Sequence, residues 1–322
     1  MGTMEFSGRQ ESKDFYDQRY AHGYMGHWSE FEKQRIFDLV REFNLPENGK
    51  ALDFGCGRGI FTAVIKAALP GWEIFGCDIS SEAIAAAGSQ NSGIRFFVLG
   101  DPELSTMRFD FIHSHHMLEH TYDVKVTADE ITALANPVCA MLHSLPCNHP
   151  GSLEYNVSMK MKNGFNGATG TFFFEDPAHL RRLSVDQTSA LFMHQGFSVF
   201  KDYYANQYYG ALKWIAESDL RMILNFTNPG RAVNFRAAVF IFFLRIKLLF
   251  YWFCSFAATA FLPADRGKYY LLKKILQVIS LIGFFWVALP VRSLLVSRAV
   301  NEWKNNRGKK NGTDLFLLMR RA

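Results

Sequence analysis

The stretch Asp53-Phe54-Gly55-Cys56-Gly57-Arg58-Gly59 decides the fold, because it joins a strand-like segment to a helix-like segment. Residues 51–54 form a short apolar run, and residues 60–68 carry apolar side chains at helical spacing. The glycines allow a tight turn and let a ligand approach the backbone closely. Free amides at the start of the following helix favour a carboxylate or a phosphate. The stretch therefore predicts a ligand-binding turn at the carboxyl end of a strand.

The spacing of these glycines is G-x-G-x-G. A dinucleotide-binding turn has the spacing G-x-G-x-x-G, and Ile60 stands where its last glycine would be. Asp53 precedes the first glycine, and a carboxylate there suits a ligand that is cationic or carries hydroxyl groups. The turn by itself also fits an ordinary glycine-rich connection in an α/β protein.

Outward from this turn, strand-like and helix-like segments alternate. This alternation predicts an α/β fold with a doubly wound, Rossmann-like parallel sheet that binds ligands at the carboxyl ends of its strands. We predict strands at residues 51–54, 72–79, 94–99, 109–114 and 140–145, with helices at 60–68, 83–87 and 125–135 between them.

Two further strand-like segments, residues 196–200 and 314–319, lie far apart in the chain. If they pair, the sheet has seven strands and an insertion between strands six and seven. We therefore predict a basic, apolar, helical insertion at residues 205–310 and a main domain at 1–204 and 311–322, whose first 48 residues form a helical cap.

The composition supports this division. Apolar residues make up 49% of the 322 residues and charged residues 20%, which excludes global disorder. Residues 205–310 hold 16 Lys and Arg against 4 Asp and Glu, a net charge of +12, whereas the rest of the chain has a net charge of −7. A basic and apolar insertion favours an anionic membrane surface over a nucleic acid.

The insertion contains two apolar stretches, residues 248–262 and 275–291, with basic residues on both sides of each. The longer stretch spans about 25 Å as a helix, which falls short of a hydrocarbon core of roughly 30 Å. We expect helices that lie in the membrane interface or enter it as a re-entrant hairpin. Two spanning helices are one alternative. Helices that pack as a soluble core or against a dimer mate are the other.

The cysteines indicate a reducing compartment. No Cys-x-x-Cys pair is present, which excludes a zinc ribbon or a disulfide framework. Scattered thiols fit the cytosol, so we expect the cytoplasmic face of a membrane. The five are Cys56, Cys77, Cys139, Cys147 and Cys254.

Three acidic residues follow or end neighbouring strands: Asp53, Asp78 and Asp101. As a set they resemble the class I S-adenosylmethionine-dependent methyltransferases, over about residues 30–204 and 311–322. The resemblance implies S-adenosyl-L-methionine as the cofactor, with Asp78 on its ribose and Asp101 on its adenine. The contacts it implies come from Asp53, Phe54, Gly55, Cys56, Gly57, Gly59, Asp78, Ile79, Asp101, Pro102, Ser114 and His115.

The segment after strand four carries a second match, Leu118-Glu119-His120. It resembles a methyltransferase subgroup whose signature ends in Leu-Glu-His, which includes quinone-biosynthesis O-methyltransferases and many glycan and small-molecule methyltransferases. His179-Leu180-Arg181 resembles the start of a helix in the same subgroup. The subgroup has no counterpart of residues 205–310.

Methyl transfer to a hydroxyl group needs a base whose pKa is near neutral, which histidine supplies. We predict His120 as this base, with Glu119 and His116 beside it. The alternative is that Glu119 and His120 only cap a helix and shape the cofactor pocket.

The same three residues would share one face of a helix, where two imidazoles and a carboxylate can hold a divalent metal. Members of the resembled subgroup that use a metal have Glu at the position of His116. We therefore expect no metal. Tyr16, Tyr20 and Tyr24 form either part of a lid or ordinary packing, and residues 147–176 are predicted to be a long loop.

The sequence thus predicts a methyltransferase at a membrane surface. Its acceptor would be the oxygen of an amphiphilic molecule, such as a lipid-linked saccharide or a lipid precursor. An isoprenoid-quinone precursor is the alternative acceptor. A membrane-anchored binding or scaffold protein with a degenerate methyltransferase domain is the alternative from another class. We expect no nucleic-acid partner, because the basic residues interleave with stretches too apolar to follow phosphates.

Overall fold

The computed structural model describes residues 8–261 and 270–321. The strands are β1 Lys50–Phe54, β2 Glu73–Asp78, β3 Arg95–Val98, β4 Phe109–His115, β5 Ala135–Pro146, β6 Phe197–Ala205 and β7 Asp314–Arg321. The helices are α1 Arg9–Ala21, α2 Glu30–Glu42, α3 Ile60–Ala68, α4 Ser81–Gln90, α5 Pro102–Thr106, α6 Val124–Ala133, α7 Leu153–Ser158, α8 Val185–Met193, α9 Tyr209–Glu217, α10 Leu220–Phe226, α11 Phe235–Ala258 and α12 Tyr270–Asn306.

The strands form one sheet in the order β3-β2-β1-β4-β5-β7-β6. The pairs among β1 to β5 are parallel, and Asp53 lies opposite Gly76 on one side and His113 on the other. The predicted seven-stranded, Rossmann-like fold is confirmed, and the terminal strand β7 lies beside β6 as expected. The strand order reverses between β1 and β4, which is where ligands bind in sheets of this kind.

Contacts divide the chain into two units. The first comprises residues 1–146, 177–202 and 315–322 and contains most of the sheet. Its core includes Leu52 and Phe109, which are fully buried. Strands buried on both faces require such apolar runs, and full burial of each large side chain contributes about 1.5–3 kcal/mol.

The second unit comprises residues 147–176 and 203–314. It therefore takes in the segment 147–176 as well as the region predicted to be an insertion. Its core is built by α7, α9, α10 and α11, with Ile215, Phe226 and Leu248 fully buried. All these helices except α7 lie in the basic and apolar part of the sequence.

The segment 147–176 is not a continuous loop, because it contains the short helix α7. The side chain of Ser152 accepts a hydrogen bond from the amide of Tyr155 and so caps the start of this helix. Six residues are too few to show a helical repeat, which is why the sequence pattern missed it.

Two helices of the described chain, α11 and α12, are long and apolar enough to cross a membrane, a criterion that buried core helices also meet. Asn234 caps α11 by accepting from the amide of Ala237. Helix α12 is interrupted at Phe284, whose φ is −132°, and has Pro290 in its second half.

Candidate active site

The turn after β1 has the backbone that only glycine adopts without strain. Gly55, Gly57 and Gly59 have φ values of 78°, 51° and 76°. The amides of Gly55 and Cys56 both donate to the carbonyl of Cys77, at 2.8 and 2.9 Å, which fixes the turn to β2. A Cβ on Gly55 would lie 2.4 Å from Cγ of Met117. Any side chain there would displace the turn from its position.

Asp78, at the end of β2, is buried beside this turn. Its two carboxylate oxygens accept hydrogen bonds from the amides of Gly57 and Ser80, each at 2.9 Å. Burial outweighs these hydrogen bonds and, helped by the negative charges of Asp53 and Asp17, raises the pKa of Asp78 to about 6. Each oxygen retains a lone pair, so the carboxylate can accept further hydroxyl groups.

Asp53 is held from two sides. Its Oδ1 lies 2.8 Å from Nδ1 of His113, and its Oδ2 accepts from the hydroxyl of Thr62 at 2.6 Å. All three side chains are buried. Asp53 thus ties together β1, β4 and the start of α3, and it keeps the glycine turn in place.

A cleft that is partly open to solvent lies between this turn and the end of β4. Of the residues expected at a cofactor or catalytic site, those in its lining are Asp53, Phe54, Gly55, Cys56, Gly57, Asp78, Ile79, His115, His116 and His120. The remaining expected residues are outside this lining: Gly59, Asp101, Pro102, Ser114 and Glu119.

Two of the residues outside the lining have evident structural partners. Asp101 caps α5 by accepting from the amide of Glu103 at 2.8 Å. Ser114 is buried, and its Oγ lies 2.7 Å from Nδ1 of His143. The contact of Asp101 with an adenine ring stays a prediction.

Tyr16 and Tyr20 of helix α1, together with Tyr24 just beyond its end, form an aromatic wall that the sequence left open as either a lid or ordinary packing. Tyr16, Tyr20 and Tyr24 line the cleft, and a Cβ on Gly57 would lie only 2.7 Å from the hydroxyl of Tyr20. Burial and the charge of Asp78 raise the pKa of Tyr20, so its hydroxyl stays neutral. The spacing of these tyrosines along one helical face was the available signal.

Other lining residues carried no sequence signal. Trp28 packs against Phe61 and His115, with ring centroids 5.1 and 4.8 Å apart. Arg9 and Glu130 form an ion pair of 2.9 Å. They belong to separate elements that only the fold brings together.

His116 is the histidine with the clearest catalytic geometry. Its backbone is left-handed, with φ of 48°, and its Nδ1 lies 3.0 Å from Oε1 of Glu119. Although burial opposes it, the hydrogen bond and charge of His116 lower the pKa of Glu119 to about 2. An ionised carboxylate can only accept, so Nδ1 of His116 carries a proton, and in the neutral form of the ring the lone pair is on Nε2.

Residues 116–120 form a turn, and the interpretation of this segment as one face of a helix was wrong. His120 is buried with Nδ1 3.0 Å from the carbonyl of Ala178, and its ring lies 4.6 Å from that of His179. Glu119, His120 and His179 place their ligand atoms within 4.8 Å of one another. These three, rather than the set with His116, can hold a divalent metal.

His143 is fully buried and His115 is half-buried, and each ring packs against a phenylalanine ring. Burial lowers the pKa of His115 well below its usual value and that of His143 to about 3. His115 also pairs through Nδ1 with the hydroxyl of Ser144. Both rings are therefore neutral at physiological pH and serve as fixed parts of the site.

A family model described as "Methyltransferase domain" matches residues 28–201, more than half of the chain. The chain therefore belongs to this methyltransferase family. It is a class I S-adenosylmethionine-dependent methyltransferase, as the resemblance implied. No curated protein matches the sequence.

Solved structures with a similar fold include several methyltransferases. The plantazolicin methyltransferase BpumL in complex with SAH has a TM-score of 0.48 and 11% identity, over 97% of this chain and 94% of that one. Magnesium protoporphyrin IX methyltransferase (ChlM) from Synechocystis PCC 6803 with bound SAH has a TM-score of 0.44 and 16% identity, over 61% and 92%. The YcgJ protein from Bacillus subtilis has a TM-score of 0.40 and 16% identity, over 53% and 72%.

Proposed function

We propose that this methyltransferase methylates a hydroxyl oxygen of an amphiphilic acceptor, such as a lipid-linked saccharide or lipid precursor, at the cytoplasmic face of a membrane. The observation that carries the proposal is the pair of His116 and Glu119, whose Nδ1 and Oε1 atoms are 3.0 Å apart. His116 lines the cofactor cleft, and Glu119 lies beside it. A buried, ionised carboxylate that fixes an imidazole is the arrangement that a general base requires.

The residues of the cleft fit S-adenosyl-L-methionine. Asp78 has acceptor capacity for ribose hydroxyls, and Gly55 and Gly57 of the neighbouring turn line the same cleft. Asp53 fixes the position of this turn through its contacts with His113 and Thr62. When bound, the cofactor supplies a methyl group activated by the positive charge of its sulfur. The protein then has to align the acceptor, exclude water and remove a proton.

His116 performs the last of these tasks. Glu119 keeps the proton on Nδ1 of His116, so Nε2 can accept the proton of the acceptor hydroxyl as its oxygen gains the methyl group. His120, the base predicted from sequence, donates through Nδ1 to Ala178 and is the competing candidate. Both rings line the cleft.

The proposed route uses no metal ion. The sulfonium already activates the methyl group, and the carboxylate of Glu119 already polarises the base. Dialysis against EDTA should therefore leave the rate of methyl transfer unchanged. A loss of activity that zinc or magnesium restores would instead indicate that Glu119, His120 and His179 bind a metal ion that the reaction needs.

Three features support an amphiphilic acceptor at a cytoplasmic membrane surface. The cleft is lined largely by aromatic and apolar side chains, including Met25, Trp28 and Tyr122. The second unit exposes apolar side chains along α11 and α12. None of the five cysteines forms a disulfide, which fits the cytosol.

The test is incubation of the protein with radiolabelled S-adenosylmethionine and a total membrane lipid extract, followed by chromatography of the labelled product. The proposal expects label in a polar lipid or glycolipid. Label in a quinone fraction would instead assign the alternative acceptor. Tight cofactor binding without any labelled product would favour the binding or scaffold protein.

A further inference from the structure

Helices α11 and α12 pack against each other as an antiparallel hairpin. Nζ of Lys274 donates to the carbonyl of Ala260 at 2.9 Å, and further along α12 the ring of Phe284 lies 5.3 Å from that of Phe253. Residues further along α12 therefore contact residues closer to the start of α11. We call the charge-free part of this hairpin, residues 248–261 and 275–291, the shaft.

A polar side chain locks the two helices together inside the shaft. Gln277 is only 3% exposed, and its Nε2 donates to the carbonyl of Phe256 at 3.0 Å and to the hydroxyl of Thr259 at 3.2 Å. Hydrogen bonds of this kind between polar side chains and neighbouring helices contribute to helix association in an apolar medium. The amide nitrogen of Gln277 is therefore already hydrogen-bonded within the shaft when the shaft enters an apolar medium.

The outer surface of the shaft is apolar and exposed. Ile279, Ile282 and Trp286 are 61%, 72% and 67% exposed. Its inner faces meet through Cys254, Ala257 and Ala288, which are buried. A helix that lies flat in the membrane interface needs a charged face toward the headgroups. The shaft carries no Asp, Glu, Lys or Arg, so it lacks such a face.

Positive charges lie at both ends of the shaft. At its base, Lys247 bonds the hydroxyl of Tyr208 at 2.9 Å, and Arg245 bonds the carbonyl of Leu224 at 2.9 Å. Arg292 completes the base. At the other end, Lys273 and Lys274 precede the second apolar stretch. The cations at the base and those at the other end are separated by 17 residues of α12, which span about 25 Å.

We propose that the shaft inserts across the hydrocarbon of a bilayer that contains anionic lipids. The base cations meet one layer of headgroups, and the long side chain of Lys273 extends to the other layer, which makes up the remaining few ångströms. A second copy of the chain is a poorer occupant. Because both ends of the shaft are cationic, two shafts packed side by side would bring positive charges together whether the shafts run parallel or antiparallel. The inference deepens the proposed membrane location and specifies how the protein is held there.

Vesicle flotation of the full chain tests insertion. Wild-type protein should float with vesicles of phosphatidylcholine containing about one third phosphatidylglycerol. Ile282→Lys, which places a charge at the centre of the shaft, should reduce the floated fraction at least about tenfold. Val138→Lys changes a residue of the first unit that is 85% exposed and should float like wild type.

Labelling tests the crossing itself. Lys273→Cys should react with a membrane-impermeant maleimide trapped inside the vesicles, and not with the same reagent added outside. Reaction from outside alone would overturn the crossing. Flotation of Ile282→Lys equal to wild type would overturn insertion altogether. A lipid-free dimer that Ile282→Lys converts to a monomer, without vesicle binding by wild type, would assign the surface to a second copy.

These outcomes are separable from the failure of the proposed methyl transfer. Flotation requires no turnover, and calorimetric titration of S-adenosylmethionine into Ile282→Lys shows whether the first unit is intact. Protein that floats and labels as expected but transfers no methyl group would retain the membrane inference and reject the acceptor.

Discussion

At His116 the backbone adopts a left-handed conformation that costs a residue with a side chain about 1–2 kcal/mol. Two hydrogen bonds hold this strained conformation. The amide of His116 donates to the carbonyl of Ser144 at 2.8 Å, and its ring bonds Glu119. The motif led us to pair Glu119 with His120, whereas the structure places Glu119 in a hydrogen bond with His116. Ring direction depends on a backbone angle that no sequence pattern encodes, and this is why the pairing could not be predicted.

His116→Gln should lower kcat by about 10²- to 10⁴-fold, because it removes the lone pair that accepts the hydroxyl proton. The Kd of S-adenosylmethionine should be unchanged. Initial rates at saturating acceptor provide the measurement. His194→Gln, at an exposed histidine paired with Asp129, is the matched control. Full activity of His116→Gln together with loss of activity in His120→Gln would make His120 the base.

Cofactor affinity should depend on the ionisation of Asp78. Burial raises the pKa of this carboxyl to about 6, and only the ionised form accepts two ribose hydroxyls. Affinity should therefore rise with pH, by roughly tenfold between about pH 5 and pH 7. Equilibrium dialysis with radiolabelled cofactor measures this. Asp78→Asn should bind weakly with a flat profile, and an equal pH dependence in that variant would refute the assignment.

Among the elements, all seven strands were predictable because each is a short apolar run next to a turn or a helix start. Their ends differ from prediction by a few residues; β5, for example, begins at Ala135 instead of residue 140. Helix α7 was missed because it is short, and its capping residue Ser152 lies in a stretch rich in loop-forming residues. The contribution of α1 to the cleft depends on tertiary packing, which periodicity does not report.

Helix α9 depends on a distant carboxylate. The amides of Tyr208, Tyr209 and Gly210 donate to Glu302 of α12, at 3.0, 2.8 and 2.9 Å. A negative charge at a helix start satisfies unpaired amides and opposes the helix dipole. Glu302 thus fixes α9 to α12 within the second unit.

Glu302→Ala should lower the free energy of unfolding by about 2–4 kcal/mol, because several charge-assisted hydrogen bonds are lost and three amides lose their acceptor. Urea titration followed by circular dichroism measures the change. Lys304→Ala, an exposed residue of the same helix, should change stability by less than about 0.5 kcal/mol. Equal effects of the two variants would show that Glu302 does not fix α9.

For the whole molecule, the change in charge along the chain led us to predict a separate domain at residues 205–310. The basic and apolar residues 205–310 all lie in the unit formed by 147–176 and 203–314. The inclusion of 147–176 was not predictable. That segment is neither basic nor strongly apolar, and it joins the unit through side chains such as Leu153, Val157 and Met161.

The central claim is that the glycine turn and Asp78 form a binding site for S-adenosylmethionine. Calorimetric titration of the cofactor into the full chain at about pH 7.5, where Asp78 is ionised, tests it most directly. We predict saturable binding of one cofactor per chain, at least tenfold weaker in Asp78→Asn and unchanged in Asp186→Asn, an exposed carboxylate of α8. No saturable heat with wild-type protein, or equal affinity in all three proteins, would contradict the account.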